Sequence, residues 1–198
     1  MNIIYLHGFR SSPLSIKGQQ LRRYFAQNDT VTVHLPDLNT APVQVIQQLS
    51  DLVISLPQVA LVGSSLGGFY ATQLSARFGL PAVLINPAMR PWLLFRELFG
   101  QEQLPLQVTE HWSLDDAQLD QLAQMAVPFV QDADKILLLL QQDDEVLDYR
   151  EAQRYYTGGQ HRAMVMCERH GNHAMDDFAT KIPTVYQFLA DSLKNKET

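Results

Sequence analysis

The join between Val59-Ala60-Leu61-Val62 and Gly63-Ser64-Ser65-Leu66-Gly67 constrains this chain more than any other stretch. An unbroken apolar run of this kind reads as a strand covered on both faces. The Gly-x-Ser-x-Gly pentapeptide after it permits a sharp bend, because small residues stand two before and two after the serine. Such a bend drives the Ser65 hydroxyl out of the strand end, where a base can reach it. The helix-compatible Phe69-Tyr70-Ala71-Thr72-Gln73-Leu74 follows directly. A buried strand, a bend and a helix in one stretch point to a layered fold of strands and helices.

The same alternation runs through the chain. Strands are expected at Asn2–Leu6, Val31–Leu35, Val59–Gly63, Ala82–Asn86, Lys135–Leu140 and Ala163–Cys167. Amphipathic helical stretches are expected at Lys17–Ala26, Val43–Leu56, Leu66–Phe78, Tyr149–Tyr156 and Asp176–Leu193. This pattern predicts a doubly wound α/β domain with a mainly parallel sheet and helices on both faces. The 198 residues fit one domain, 1–198. Residues 87–134 break the pattern, being longer than a single crossover helix needs. This stretch holds Pro91-Trp92-Leu93-Leu94-Phe95, a polar loop and Leu114–Met125, and reads as a small cap-like insertion over the sheet edge. Trp92, Phe95, Phe99 and Trp112 read as walls of an apolar pocket there. The polar tail Lys194-Asn195-Lys196-Glu197-Thr198 is expected to fray.

Several functional classes are disfavoured. The net charge is −6 and the basic residues are scattered, so no electrostatic footprint for nucleic acid is visible. No apolar run approaches the ~18 residues of a membrane span. Met1–Leu6 lacks a basic stretch and runs into His7-Gly8, so it reads as the first core strand and not as a leader. A single cysteine, Cys167, excludes an internal disulfide and fits a reducing, cytoplasmic setting. It reads as a small buried hydrophobe. Gly63 to Gly68 has the spacing of a phosphate-binding loop, but Phe69 stands where lysine is needed. Nothing in the sequence fixes an oligomeric state.

A serine hydroxyl needs a base to take its proton and an acid to orient that base. In α/β hydrolases the order along the chain is Ser, then Asp or Glu, then His. After the fifth predicted strand come Asp143, Asp144, Glu145 and Asp148. Asp144 is the first choice for the acid, and the other three are alternatives. After the sixth comes Glu168-Arg169-His170-Gly171-Asn172-His173-Ala174, where His173 is favoured over His170 as the base. His170-x-x-His173 is too few ligands for zinc, and no H-E-x-x-H motif occurs, so no metal or other cofactor is expected. The backbone N–H groups of Phe9 and Leu66 are candidates for an oxyanion hole. His7 reads as a brace for the loop it precedes. Arg10, Arg90 and Trp92 are candidate substrate-binding residues, the two arginines suiting a carboxylate or phosphate.

Taken together, Tyr5-Leu6-His7-Gly8-Phe9, Ser11-Ser12-Pro13, Val62–Gly68, Asn86-Pro87-Ala88, Arg90-Pro91, Asp144–Arg150 and Gly171-Asn172-His173-Ala174 resemble the YqiA/YcfP-type family of small bacterial α/β-hydrolase esterases, the YqiA branch more closely. The resemblance implies a compact α/β-hydrolase fold lacking the first two strands of the larger fold, with a reduced six-stranded sheet ordered 2-1-3-4-5-6. It implies Ser65, Asp144 and His173 as the triad. The expected activity is hydrolysis of a small-molecule acyl ester or thioester by a serine esterase or thioesterase. The alternative is a non-catalytic binding protein on the same scaffold.

Overall fold

The computed structural model describes residues 1–100 and 102–194. In chain order these form β1 (Asn2–Leu6), α1 (Ile16–Tyr24), β2 (Thr32–His34), α2 (Pro42–Ser55), β3 (Val59–Ser64), α3 (Leu66–Phe78), β4 (Ala82–Ile85), α4 (Pro91–Phe99), β5 (Leu106–Gln107), β6 (Ser113–Leu114), α5 (Asp116–Met125), β7 (Ile136–Gln141), α6 (Tyr149–Thr157), β8 (Met164–Glu168) and α7 (Phe178–Lys194). The expected frayed tail lies, beyond Lys194, outside the described residues.

Six strands make one sheet in the order β2-β1-β3-β4-β7-β8, and every neighbouring pair is parallel. The short antiparallel pair β5-β6 stands apart. With those two set aside, the order is the 2-1-3-4-5-6 of the α/β-hydrolase expectation. Side chains of the central strands alternate between two cores, as a pleated strand requires. Ile4, Leu6 and Leu61 face one core with Leu49 of α2, Leu74 of α3 and Tyr156 of α6. Ile3, Tyr5 and Val62 face the other with Leu21 of α1 and Ile182 and Leu189 of α7. Both faces are therefore covered, which explains why β3, β4 and β7 read as unbroken apolar runs.

The edges differ from expectation. Strand β2 is only Thr32–His34 and β8 begins at Met164, and both are partly exposed. Lys135 closes a 3₁₀ turn, so β7 starts one residue late and runs on to Gln141. Cys167, expected to be buried, is half-buried because β8 is, among the described residues, an edge strand of the sheet. The segment 87–134 carries α4, the β5-β6 pair and α5. Phe95 and Phe99 of α4 meet Phe9 at ring distances of 4.5 and 6.0 Å, which ties this segment to the loop after β1. Among the described residues no helix is long and apolar enough to cross a membrane.

Candidate active site

Ser65 stands at the turn between β3 and α3 with φ 53° and ψ −119°. A non-glycine residue in that region costs about 1–3 kcal/mol and persists only when its surroundings hold it. Here the Ser65 N–H donates to Ile85 O at 3.0 Å, and its carbonyl accepts from Gly68, Phe69 and Ala88 N–H at 2.9, 3.2 and 3.1 Å. The flanking glycines are required by close approach. A Cβ on Gly67 would lie 2.0 Å from Leu6 O, and one on Gly63 would lie 2.4 Å from Gly67 O. Helix α3 thus sits against the end of β1 with no room for a side chain.

Hydrogen bonds run on from the serine without a gap. The Ser65 hydroxyl lies 3.0 Å from His173 Nε2. His173 Nδ1 lies 2.8 Å and 3.0 Å from the two Asp144 oxygens. Asp144 Oδ1 also accepts from the backbone N–H groups of Val146 and Leu147, at 2.8 and 2.9 Å. Its side chain is 2 % exposed, and that of His173 is 20 % exposed. A buried carboxylate with this many donors is satisfied as an anion and holds the imidazole with Nδ1 protonated. Nε2 is then the acceptor that faces the serine.

The loop bearing His173 is fastened from below. Asn86, buried at the end of β4, donates to the carbonyls of Asn172 and His173 at 3.1 and 3.2 Å. Its Oδ1 accepts from Gln141 N–H at 3.0 Å. Gln141 Oε1 accepts from Asn172 N–H at 2.8 Å, and Gln141 Nε2 donates to Glu168 and Asp177, each at 3.1 Å. Lys181 of α7 donates to the same two carboxylates at 2.8 and 2.7 Å. Its hydrogen bond holds both Glu168 and Asp177 below their ordinary pKa. Burial pulls Lys181 itself down, but its bonds to Asp177 and Glu168 outweigh this and raise it. Glu145 adds one further anchor by accepting from His173 N–H at 2.9 Å.

The alternatives fall elsewhere. His170 meets Asp143 at 3.2 Å on the surface, with side chains 92 % and 59 % exposed. Asp148 caps α6 by accepting from Arg150 N–H at 2.9 Å. His7 donates from Nδ1 to Gly8 O at 2.9 Å and accepts from Leu38 N–H at Nε2 at 3.0 Å. Burial lowers its pKa, and the Leu38 donor requires an unprotonated Nε2, so His7 braces the loop as a neutral ring. That loop brings Gly8 against Ser65. The N–H groups of Phe9 and Leu66 meet no protein acceptor among the described residues. Leu66 follows the serine in the chain, and Phe9 follows Gly8 in the loop after β1 and lines the same cavity as Ser65.

A cavity of about 900 Å³ opens onto Ser65 and His173, lined also by Phe9, Arg10, Lys17 and Thr109. Arg10 therefore shares this cavity with the serine. Arg90 and Trp92 do not line this cavity. Arg90 pairs with Glu151, and both residues line another hollow with Tyr155. Sequence reasoning missed Gln141 and Lys17, named Glu145 only as an alternative acid, and saw Asn86 only as part of a motif. The signal for Asn86 was a polar residue ending an apolar strand just before a proline.

The model of the Uncharacterised protein family (UPF0227) matches residues 2–190. Among solved structures the chain is similar to Est1E from Butyrivibrio proteoclasticus with ferulic acid bound. That match has 15 % identity and a TM-score of 0.72, and covers 98 % of this chain and 89 % of that one. A structure of the metagenome-derived lipolytic enzymes LipS and LipT matches at 17 % identity and a TM-score of 0.71, covering 96 % and 93 %. Mouse alpha/beta hydrolase domain-containing protein 10 matches at 13 % identity and a TM-score of 0.68, covering 95 % and 90 %. At these identities the likeness carries the α/β-hydrolase fold and nothing finer.

Proposed function

This chain belongs to the UPF0227 family, and on that premise we propose that it is a serine-dependent hydrolase of carboxylic esters or thioesters. The observation that carries the reading is the unbroken chain from Ser65 Oγ through His173 to the enclosed Asp144. His173 Nε2 takes the Ser65 proton as Oγ attacks the acyl carbonyl. The Phe9 and Leu66 N–H groups stabilise the oxyanion. His173 returns the proton to the departing alcohol or thiol, which leaves an acyl-serine. Water then attacks the acyl-serine, gives its proton to His173 and releases the acid, and the proton passes back to Ser65. Asp144 keeps the imidazole in its working tautomer throughout. We take residues 87–134 as a cap on one domain spanning 1–198, supported by the Phe9–Phe95 contact. A cytoplasmic setting rests on the single cysteine.

The test is covalent labelling with a fluorophosphonate, followed by peptide mapping, beside turnover of a short-chain 4-nitrophenyl ester. The adduct is expected on Ser65. Ser65→Ala should lose label and lose kcat on the order of 10⁶-fold. Label that persists in Ser65→Ala and maps to Ser64 overturns the assignment. A wild type with neither label nor turnover favours a binding protein on this scaffold.

A further inference from the structure

The cavity over Ser65 has an uneven charge. The chain as a whole carries −6, yet two cations, Arg10 and Lys17, line this cavity against one carboxylate, Asp176. Asp176 already accepts from Asn172 Nδ2 at 2.7 Å. Neither Arg10 nor Lys17 has a carboxylate oxygen within 4.0 Å among the described residues. The Arg10 guanidinium lies 5.7 Å from the Phe9 ring and 5.6 Å from the Phe99 ring, a stack that holds it in place, and its N–H groups meet no acceptor among the described residues. Lys17, in the first turn of α1, is half-buried. Burial lowers its pKa, and the field of Asp176 pushes it back. An ammonium taken partly out of water, with Asp176 beyond ion-pair distance and already bonded to Asn172, is costly to keep. An incoming anion would relieve that cost and gain charge-assisted hydrogen bonds from both groups.

We propose that this part of the cavity is an anion subsite, and that the substrate of Ser65 is an ester or thioester bearing a carboxylate or phosphate held by Lys17 and Arg10. The proposal rests on the hydrolase reading above. It also replaces the expected arginine pair, since Arg90 is spent on Glu151.

Two matched pairs of substrates test it. For carboxylate, 4-nitrophenyl butyrate is compared with mono-4-nitrophenyl glutarate. For phosphate, S-butyrylpantetheine is compared with S-butyryl-4′-phosphopantetheine. The readout is kcat/KM for the anionic member divided by that for the neutral member. In the wild type this ratio should reach about tenfold in at least one pair, and that pair identifies the anion. Lys17→Met should lower the ratio about tenfold, and Arg10→Gln, at the more exposed position, about threefold. Using a ratio and two separate variants protects the test against a loss of folded protein in either. A wild-type ratio near one in both pairs, or a ratio unmoved by both variants, overturns the subsite while neutral turnover keeps the hydrolase reading. A wild type that hydrolyses none of the four and takes no fluorophosphonate label overturns both.

Discussion

Adjacent aspartates, Asp143 and Asp144, each meet a histidine from the same loop. The nitrogen-to-oxygen distances differ little, 3.2 Å for His170–Asp143 and 2.8 Å for His173–Asp144. What differs is everything around them. Asp144 is sealed from water and takes two backbone N–H groups. The residues around His173 are tied to β4, β7 and Glu145. The outer pair has no such enclosure, with side chains 92 % and 59 % exposed. Pair distance alone therefore separates nothing; enclosure, and the fixing of the backbone behind the ring, separate a pair that can serve a serine from one that only decorates the surface.

The sharpest way to break this comparison is to delete each histidine. His173→Ala should lower kcat by roughly 10⁶, much as loss of the serine does, while His170→Ala should change it by no more than about threefold. Steady-state kinetics on one ester decides the matter, and equal losses would dissolve the distinction. Next in size are the acids. Asp144→Asn should cost about 10⁴ in kcat, because the imidazole adopts the wrong tautomer. Asp143→Asn should be nearly silent. A dead Asp143→Asn enzyme beside a healthy Asp144→Asn enzyme would reverse the two roles.

The smallest effect concerns the support beneath the inner pair. Lys181 holds Glu168 and Asp177 below their ordinary values of 4.5 and 3.8. Their folded pKa values lie beneath the unfolded ones. Their contribution is thus complete above about pH 4.5 and is lost as the pH falls through the folded values. Lys181 is shifted the other way, so its share is present below 10.5 and lost as the pH rises through its raised folded value. Both carboxylates are more than a third exposed, and solvent screening keeps the effect modest. Lys181→Met should lower Tm at pH 7 by about 2–4 °C and flatten the fall of Tm in acid. Thermal melts between pH 3 and 8 would show it; an unchanged acid limb would mean that Lys181 only fills space.

The parts visible in the sequence were those whose cause is local. The bend at Ser65 needs only small neighbours, and Gly63 and Gly67 stand in the same pentapeptide. Strands β1, β3, β4 and β7 announced themselves because burial on both faces leaves no polar residue inside the run. Asp144 and His173 were reachable through their position after late strands, although their neighbours Asp143 and His170 offered the same chemistry. What remained hidden depends on chain segments far apart. Asn86 acts across β4 onto the histidine loop, and Gln141 gains its role only when that loop folds back over β7. Arg90 looked like a partner for Arg10 because both follow strands, but α6 carries Glu151 within its reach and draws it aside.

Asn86 has a consequence of its own. Its buried side chain, just past the end of β4, joins the carbonyl side of the histidine loop to the N–H of Gln141 in the adjoining strand. The residues around His173 should thereby open with the sheet and show no softening transition of their own. On heating, the imidazole should stay aligned until the central strands themselves separate. Loss of activity and loss of the fold should then coincide on one thermal curve, with no warm, folded and idle state between them.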